Sequence, residues 1–159
     1  MDKTKILFVC LGNICRSPSA EAVMNELIGK NKLSDEFEID SAGIIGYHAG
    51  EPADQRMQRH AQQRNMHLTS ISRQVKSPAD FEYFDYIIGM DDQNMDDLFQ
   101  LLPSDEYKHK LSKMTDYCTV HSHTSVPDPY YGGAAGFELV LDILEDACQG
   151  LLTHINNNG

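Results

Sequence analysis

Short apolar runs alternating with amphipathic helical stretches predict an α/β fold of three layers, a parallel sheet between two layers of helices. Lys5-Ile6-Leu7-Phe8-Val9 is a compact apolar run rich in strand formers, and Phe84-Asp85-Tyr86-Ile87-Ile88-Gly89-Met90 is a second. Each is followed by residues at helical spacing, so the connections read as βαβ units, whose strands lie parallel. The third observation is size. At 159 residues, 41% of them hydrophobic, the chain can bury one real core. No repeat, low-complexity block or linker divides it, so one domain over residues 1–159 is expected.

The first strand ends on Cys10, and the loop Leu11-Gly12-Asn13-Ile14-Cys15-Arg16-Ser17 follows. Beyond Pro18, Ala20, Val23, Met24, Leu27 and Ile28 fall on one helical face. Leu33-Ser34-Asp35 reads as a loop and Phe37-Glu38-Ile39-Asp40 as a short strand leading to Ser41-Ala42-Gly43. The loop from Ile44 to Pro52 carries Gly46, Gly50, Tyr47 and His48 and has the composition of a ligand-facing loop. Asp54 to Asn65 reads as an exposed helix with Met57 and Ala61 inward, and Leu68 to Val75 as irregular. Ser77 and Pro78 look like the N-cap and first position of another helix.

After the strand at Phe84–Met90, Asp91-Asp92-Gln93-Asn94 opens a helix with Met95, Leu98, Phe99 and Leu102 on its apolar face, stopped by Pro103. Lys110 to Met114 is a weaker fourth strand. The last helix places Phe137, Val140, Leu141, Leu144, Cys148, Leu151 and Ile155 on one stripe, with Cys148 as a small core residue and the tail Asn156–Gly159 frayed.

Thirteen Lys and Arg against 24 Asp and Glu give a net charge of −11. This excludes sequence-independent nucleic-acid binding, which needs a basic face. Any anion pocket must therefore create its positive potential locally. No stretch approaches a membrane span. Met1-Asp2-Lys3-Thr4 opens straight into a strand, so no signal peptide is expected. Four cysteines, at positions 10, 15, 118 and 148, are too sparse for a disulfide scaffold and point to the reducing cytoplasm.

Chemistry concentrates in the first loop. In a parallel sheet, ligands bind at the carboxyl ends of the strands, and Cys10 is delivered to that edge. Backbone N–H groups converge where strand, loop and helix meet, and the helix dipole favours an anion there. Those groups, with Arg16 beside them, favour a thiolate at Cys10 able to form a covalent phosphoryl intermediate. Arg16 can grip two phosphate oxygens with its planar fork, which lysine could not. Gly12 permits close backbone approach and positive φ, and Asn13 tolerates a left-handed conformation. The Ser17 hydroxyl can donate to the sulfur. The plainer alternative makes Cys10 a buried strand residue and Arg16 a surface residue. The G-x4-G-K-[S/T] pattern of a nucleotide-binding loop is missing.

The run Val9-Cys10-Leu11-Gly12-Asn13-Ile14-Cys15-Arg16-Ser17-Pro18 resembles the signature of the low-molecular-weight protein tyrosine phosphatases. The resemblance continues in order through Ser41-Ala42-Gly43, Phe84 to Asp91 and Asp128-Pro129-Tyr130-Tyr131. It implies a Rossmann-like, four-stranded parallel sheet and a phosphatase that needs no metal or cofactor and works through phosphocysteine. The nucleophile would be Cys10, with Arg16 and the loop residues Leu11, Gly12, Asn13, Ile14 and Cys15 holding phosphate.

On residues alone, Asp128 before Pro129 is either a turn residue or a candidate acid. The resemblance makes it the general acid that protonates the leaving phenolate, then the base for the attacking water. Tyr130 and Tyr131 would wall the cleft or pack on the last helix, and Tyr47 matches an aromatic of the cleft lip. Ser41 resembles the family's loop-supporting serine near Asn13. The resemblance also suggests a reversible Cys10–Cys15 disulfide guarding the nucleophile, with packing as the alternative role of Cys15. One departure is Ser70, three residues before Arg73, where the family usually has histidine. It leaves the support behind Asn13 incomplete, with a less rigid loop and an altered nucleophile as the expected consequence.

Cys118, His121 and His123 cluster without a second ligand pair, so no metal site is expected. The partners implied are tyrosine-phosphorylated proteins, an autophosphorylating kinase among them, for a monomer or weak dimer. Two rival activities share the loop. A thioredoxin-coupled arsenate reductase needs a further cysteine pair, and residues 76 to 96 contain no cysteine. Protein arginine phosphatases typically carry Thr where this chain has Ile14. An inactive phosphate-binding module would not need Cys10, Arg16, Ser17 and Asp128 together.

Overall fold

The computed structural model describes residues 2–129 and 133–158. Four strands, β1 (Thr4–Cys10), β2 (Phe37–Gly43), β3 (Tyr86–Gly89) and β4 (Leu111–Lys113), form a parallel sheet in the order β2-β1-β3-β4. The register pairs Cys10 with Gly43 and Val9 with both Ala42 and Gly89, which places Cys10 at the carboxyl end of an interior strand. Ile6, Leu7, Phe8 and Val9 are all fully buried, as expected for a strand covered on both faces.

Strand alternation sorts these side chains into two cores. Ile6, Phe8 and Cys10 pack with Ala20, Val23, Met24 and Ile28 of α1 (Arg16–Lys30), Met57 and Ala61 of α2 (Gln55–Gln62), and the apolar stripe of α5 (Gly133–Asn158). Leu7 and Val9 pack on the opposite side with Phe81 of α3 (Ala79–Tyr83), Phe84, and Leu98 of α4 (Asp92–Leu101). The predicted three layers are present.

Several boundaries differ from the sequence expectations. Helix α1 starts at Arg16 and takes Pro18 into its first turn, where a missing N–H costs no helical bond. The expected loop at Leu33–Asp35 closes into a short 3-10 turn over Ser34–Glu36. Helix α2 is shorter than 54–65, with the Asp54 carboxylate capping it by accepting from the Arg56 and Met57 N–H groups. Ser77 does not cap α3; its hydroxyl donates to the Leu101 carbonyl at 2.7 Å, and α3 begins at Ala79. Phe99 is 41% exposed instead of buried, so α4 is seated mainly through Leu98. The asparagine tail continues α5 to Asn158 rather than fraying, with packing of Leu151, Leu152 and Ile155 extending the helix. The expectations for Tyr130 and Tyr131 fall outside the described residues.

Two long-range contacts govern how the last third of the chain is held. Asp146 of α5 accepts the N–H groups of Thr119, Val120 and His121 at 3.0, 3.0 and 2.8 Å. These bonds hold its carboxyl well below the usual carboxylate range, against the opposing effect of desolvation. Gly150 lets α5 lie directly on the 3-10 turn Met114–Tyr117, because a Cβ there would sit 1.8 Å from the Tyr117 carbonyl oxygen. Gly150→Ala gains about 1 kcal/mol of helix propensity and loses about 3 kcal/mol to overpacking against backbone. The expected net loss of about 2 kcal/mol lowers Tm by roughly 4–8 °C; a thermal melt showing no decrease would contradict that contact.

Candidate active site

The loop between β1 and α1 is shaped by where its carbonyls go. Those of Cys10 and Leu11 accept from the N–H groups of Ile44 and Ile45, each at 3.0 Å, as the chain beyond β2 runs alongside. The Gly12 carbonyl accepts from the Ser72 hydroxyl at 3.0 Å, and that of Ile14 from the Asp54 N–H at 2.8 Å. The Cys15 carbonyl accepts from Ser19. In a trans peptide the C=O of one residue and the N–H of the next point in opposite directions. Carbonyls turned out to these partners therefore turn the N–H groups of residues 11, 12, 13, 15 and 16 inward. The Asn13 N–H reaches the Cys10 sulfur at 3.3 Å. A cradle of inward N–H groups results, of the kind that suits an anion, with a thiol at its floor and the first turn of α1 behind it.

Asn13 carries the turn with φ of 58°, as its residue type allows. Gly12 does not share that conformation: its backbone is not left-handed, and a side chain there would instead press on its neighbour. A Cβ at Gly12 would come within 3.0 Å of the His48 ring.

Behind the cradle runs a continuous set of hydrogen bonds. The Asn13 amide nitrogen donates to Ser17 Oγ at 2.8 Å and to Ser41 Oγ at 3.0 Å, while its oxygen accepts from the Arg73 N–H at 3.0 Å. Ser17 Oγ lies 3.0 Å from the Cys10 sulfur. The gap expected behind Asn13 is therefore closed. Ser70 lies one step further out, beside the Glu21 carboxyl.

Arg16 is only 4% exposed. Its Nη1 donates to Asp91 Oδ2 at 2.6 Å and to the Val126 carbonyl at 3.1 Å, which leaves Nε and Nη2 for an anion. Asp91 also caps α4 through Oδ1, at 2.7 Å from the Asn94 N–H. The Val126 N–H donates to the Met90 carbonyl at 2.8 Å, so the segment leading to Asp128 is fastened to the end of β3.

A cavity of about 400 Å³ opens over the cradle, lined by Cys10, Leu11, Gly12, Ile14, Cys15, Arg16, Ile45, Tyr47, His48 and Asp128. Tyr47 is 82% exposed at its lip. Asp128, far away in the chain, thus lines one cleft with Cys10 and Arg16. Burial, with Asp54 next, pushes the Cys15 thiol up to about 12, so the second cysteine of the loop stays protonated at neutral pH. Among the described residues no group of three or more His, Cys, Asp or Glu side chains is arranged to hold a metal ion. Cys118 donates instead to the Ile143 carbonyl, and His121 is tied by its backbone to Asp146.

Asp91, His48 and Glu21 are site residues that sequence reasoning missed. For Asp91 a signal existed: an acidic N-cap immediately after a parallel strand stands at the ligand edge of the sheet. His48 was visible in the glycine-bearing loop, but nothing local assigns its ring to the side of Gly12. Glu21 looks like any solvent-facing helix residue.

Residues 5–159 match the family model described as low molecular weight phosphotyrosine protein phosphatase. A Drosophila melanogaster protein, low molecular weight phosphotyrosine protein phosphatase 1, is 41% identical, over 93% of this chain and 94% of its own. Among solved structures, a protein tyrosine phosphatase of Entamoeba histolytica superposes with a TM-score of 0.95 at 49% identity, covering 98% of this chain and 99% of that one. A Drosophila arginine phosphatase superposes with a TM-score of 0.86 at 29% identity, covering 96% and 98%.

Proposed function

Because the chain belongs to the low molecular weight phosphotyrosine protein phosphatase family, we propose that it hydrolyses phosphotyrosine in proteins, and aryl phosphate monoesters generally, through a phosphocysteine intermediate. The observation that carries this reading is the meeting of Cys10, Arg16 and Asp128 in one cleft above a ring of inward N–H groups. The phosphate enters the cradle, and two of its oxygens take Nε and Nη2 of Arg16. The Cys10 thiolate attacks phosphorus; an S–P bond forms as the bond to the phenolic oxygen breaks. Asp128 gives its proton to that oxygen, so a neutral phenol departs.

In the second half, water attacks phosphorus and Asp128 takes its proton. The S–P bond breaks and its electron pair returns to sulfur, where the Asn13 N–H and the Ser17 hydroxyl stabilise the thiolate. Every step uses groups of this chain, and no metal or cofactor is invoked.

The apolar lining by Leu11, Ile14 and Ile45, with Tyr47 at the lip, suits an aromatic leaving group. Ile14 offers no hydroxyl to a phosphoguanidinium group, which favours phosphotyrosine over phosphoarginine. The expected result is turnover of p-nitrophenyl phosphate and a phosphotyrosine peptide in EDTA, with a phosphoarginine peptide at least tenfold slower in kcat/KM, about 1.4 kcal/mol. Loss of activity in EDTA refutes metal independence, and faster phosphoarginine turnover reassigns the leaving group. Among the described residues no helix is long and apolar enough to cross a membrane. A nucleophilic thiol and four free cysteines suit a reducing compartment, the cytoplasm.

A further inference from the structure

The hydrogen bonds behind the cradle do not end at Ser41. Its hydroxyl donates to Glu21 Oε1 at 2.6 Å, and Ser70 stands beside the same carboxyl. The direction of each link follows from the donors available. The Asn13 amide nitrogen has two protons, one for Ser17 and one for Ser41. Ser41 accepts one of them and has a single proton of its own, which Glu21 takes. Ser17 likewise accepts from Asn13, so its single proton is shared between the Cys10 sulfur, 3.0 Å away, and the longer contact to the Ala42 carbonyl at 3.4 Å. A carboxylate accepts and never donates, so Glu21 is the group that prevents this set of hydroxyls from reversing.

We propose that Glu21 is a positioning residue for the phosphatase chemistry, acting through Ser41 and Asn13 to aim the hydrogen bonds that end on the Cys10 sulfur. The inference rests on reading Cys10 as the nucleophile. Glu21 projects from α1 between β2 and the segment at Ser70–Arg73, facing the hydroxyls of Ser41 and Ser70, the carboxylate of Asp40 and the guanidinium of Arg73. Burial, opposed by the Ser41 bond and reinforced by Asp40, lifts its carboxyl above the usual carboxylate range. A group whose folded pKa is raised adds stability only while protonated, and loses that contribution as pH rises through the folded value. As pH rises through that value, the ionising Glu21 therefore weakens the fold. A residue serving only packing would be better as glutamine or an apolar side chain.

The two roles separate by experiment. The readout is the pH dependence of Cys10 alkylation by iodoacetate, alongside kcat and a thermal melt, in wild type, Glu21→Gln, Glu21→Ala, Ser41→Ala and the Glu21→Ala/Ser41→Ala double variant. In Glu21→Ala the alkylation midpoint should rise by about one pH unit, a tenfold loss of thiolate at fixed pH below it. Glu21→Gln, which keeps an acceptor oxygen, should restore most of that shift while melting no lower than wild type at pH 7.5. The double variant should shift no further than Ser41→Ala alone, because the two residues act in series.

An unmoved midpoint in Glu21→Ala together with a lower Tm would reduce Glu21 to a structural residue, and additive shifts in the double variant would remove Ser41 as its route. If Glu21→Ala does not fold, Glu21→Gln against Ser41→Ala decides in the same way: a Gln midpoint equal to that of Ser41→Ala overturns the relay. A wild type that neither turns over substrate nor alkylates at Cys10 removes the nucleophile assignment itself, and the inference with it.

Discussion

Cys10→Ser is expected to lower kcat on p-nitrophenyl phosphate by about 10⁴-fold or more, since a serine hydroxyl at this position has no base poised to ionise it. The sulfur sits 3.0 Å from Ser17 Oγ and 3.3 Å from the Asn13 nitrogen, donors suited to an anion that a neutral hydroxyl does not supply. Cys15 cannot substitute, because burial and Asp54 push its thiol up to about 12. Inorganic phosphate should still bind the variant, since the inward N–H groups and Arg16 are untouched, and calorimetry of phosphate binding against turnover separates the two losses. Residual activity above about one per cent would move the nucleophile elsewhere.

Asp128→Ala should reduce kcat/KM on phosphotyrosine by about 10²–10³-fold, the usual scale for removing a positioned acid. The loss should be smaller on p-nitrophenyl phosphate, whose phenolate departs without full protonation. Stopped-flow release of phenols of graded acidity would show it as a steeper dependence on leaving group. Equal losses on all phenols would mean that Asp128 shapes the cleft without handling the proton. The geometry makes that outcome unexpected, because the peptide two residues before Asp128 is fastened to Met90 and Arg16, and Pro129 after it is buried.

Local pattern carried the architecture where one physical signal dominated. The run Ile6–Val9 reads as a doubly covered strand because it is wholly apolar, and both cores bear that out. The cradle was legible because seven consecutive residues carry its turn, charge and nucleophile. Ser41 was singled out only through family resemblance, and its hydroxyl lies 3.0 Å from the Asn13 amide nitrogen. Asp91 was legible only as an acidic N-cap after a strand, its pairing with Arg16 being distant in the chain, and Glu21 was not legible, since it gains its meaning from a distant partner and from burial that no local pattern encodes. Phe99 shows the opposite failure: its helical phase is right for burial, but α4 lies on the sheet through Leu98 and leaves that ring exposed. Ser77 had the right residue type for a cap, and a tertiary acceptor, the Leu101 carbonyl, outcompeted the helix.

The clamp that Asp146 places on residues 119–121, and the one that Met90 and Arg16 place on Val126, bound a short polar span at 122–125. Length changes in that span are absorbed between two fixed points, because closing a slightly longer surface loop costs little. The span is thus a place where relatives can diverge in length, or a designer can insert a tag, while Asp128 keeps its place in the cleft with Cys10. One residue removed beyond Val126 would have the reverse effect, drawing the carboxyl out of the cleft with no slack to restore it.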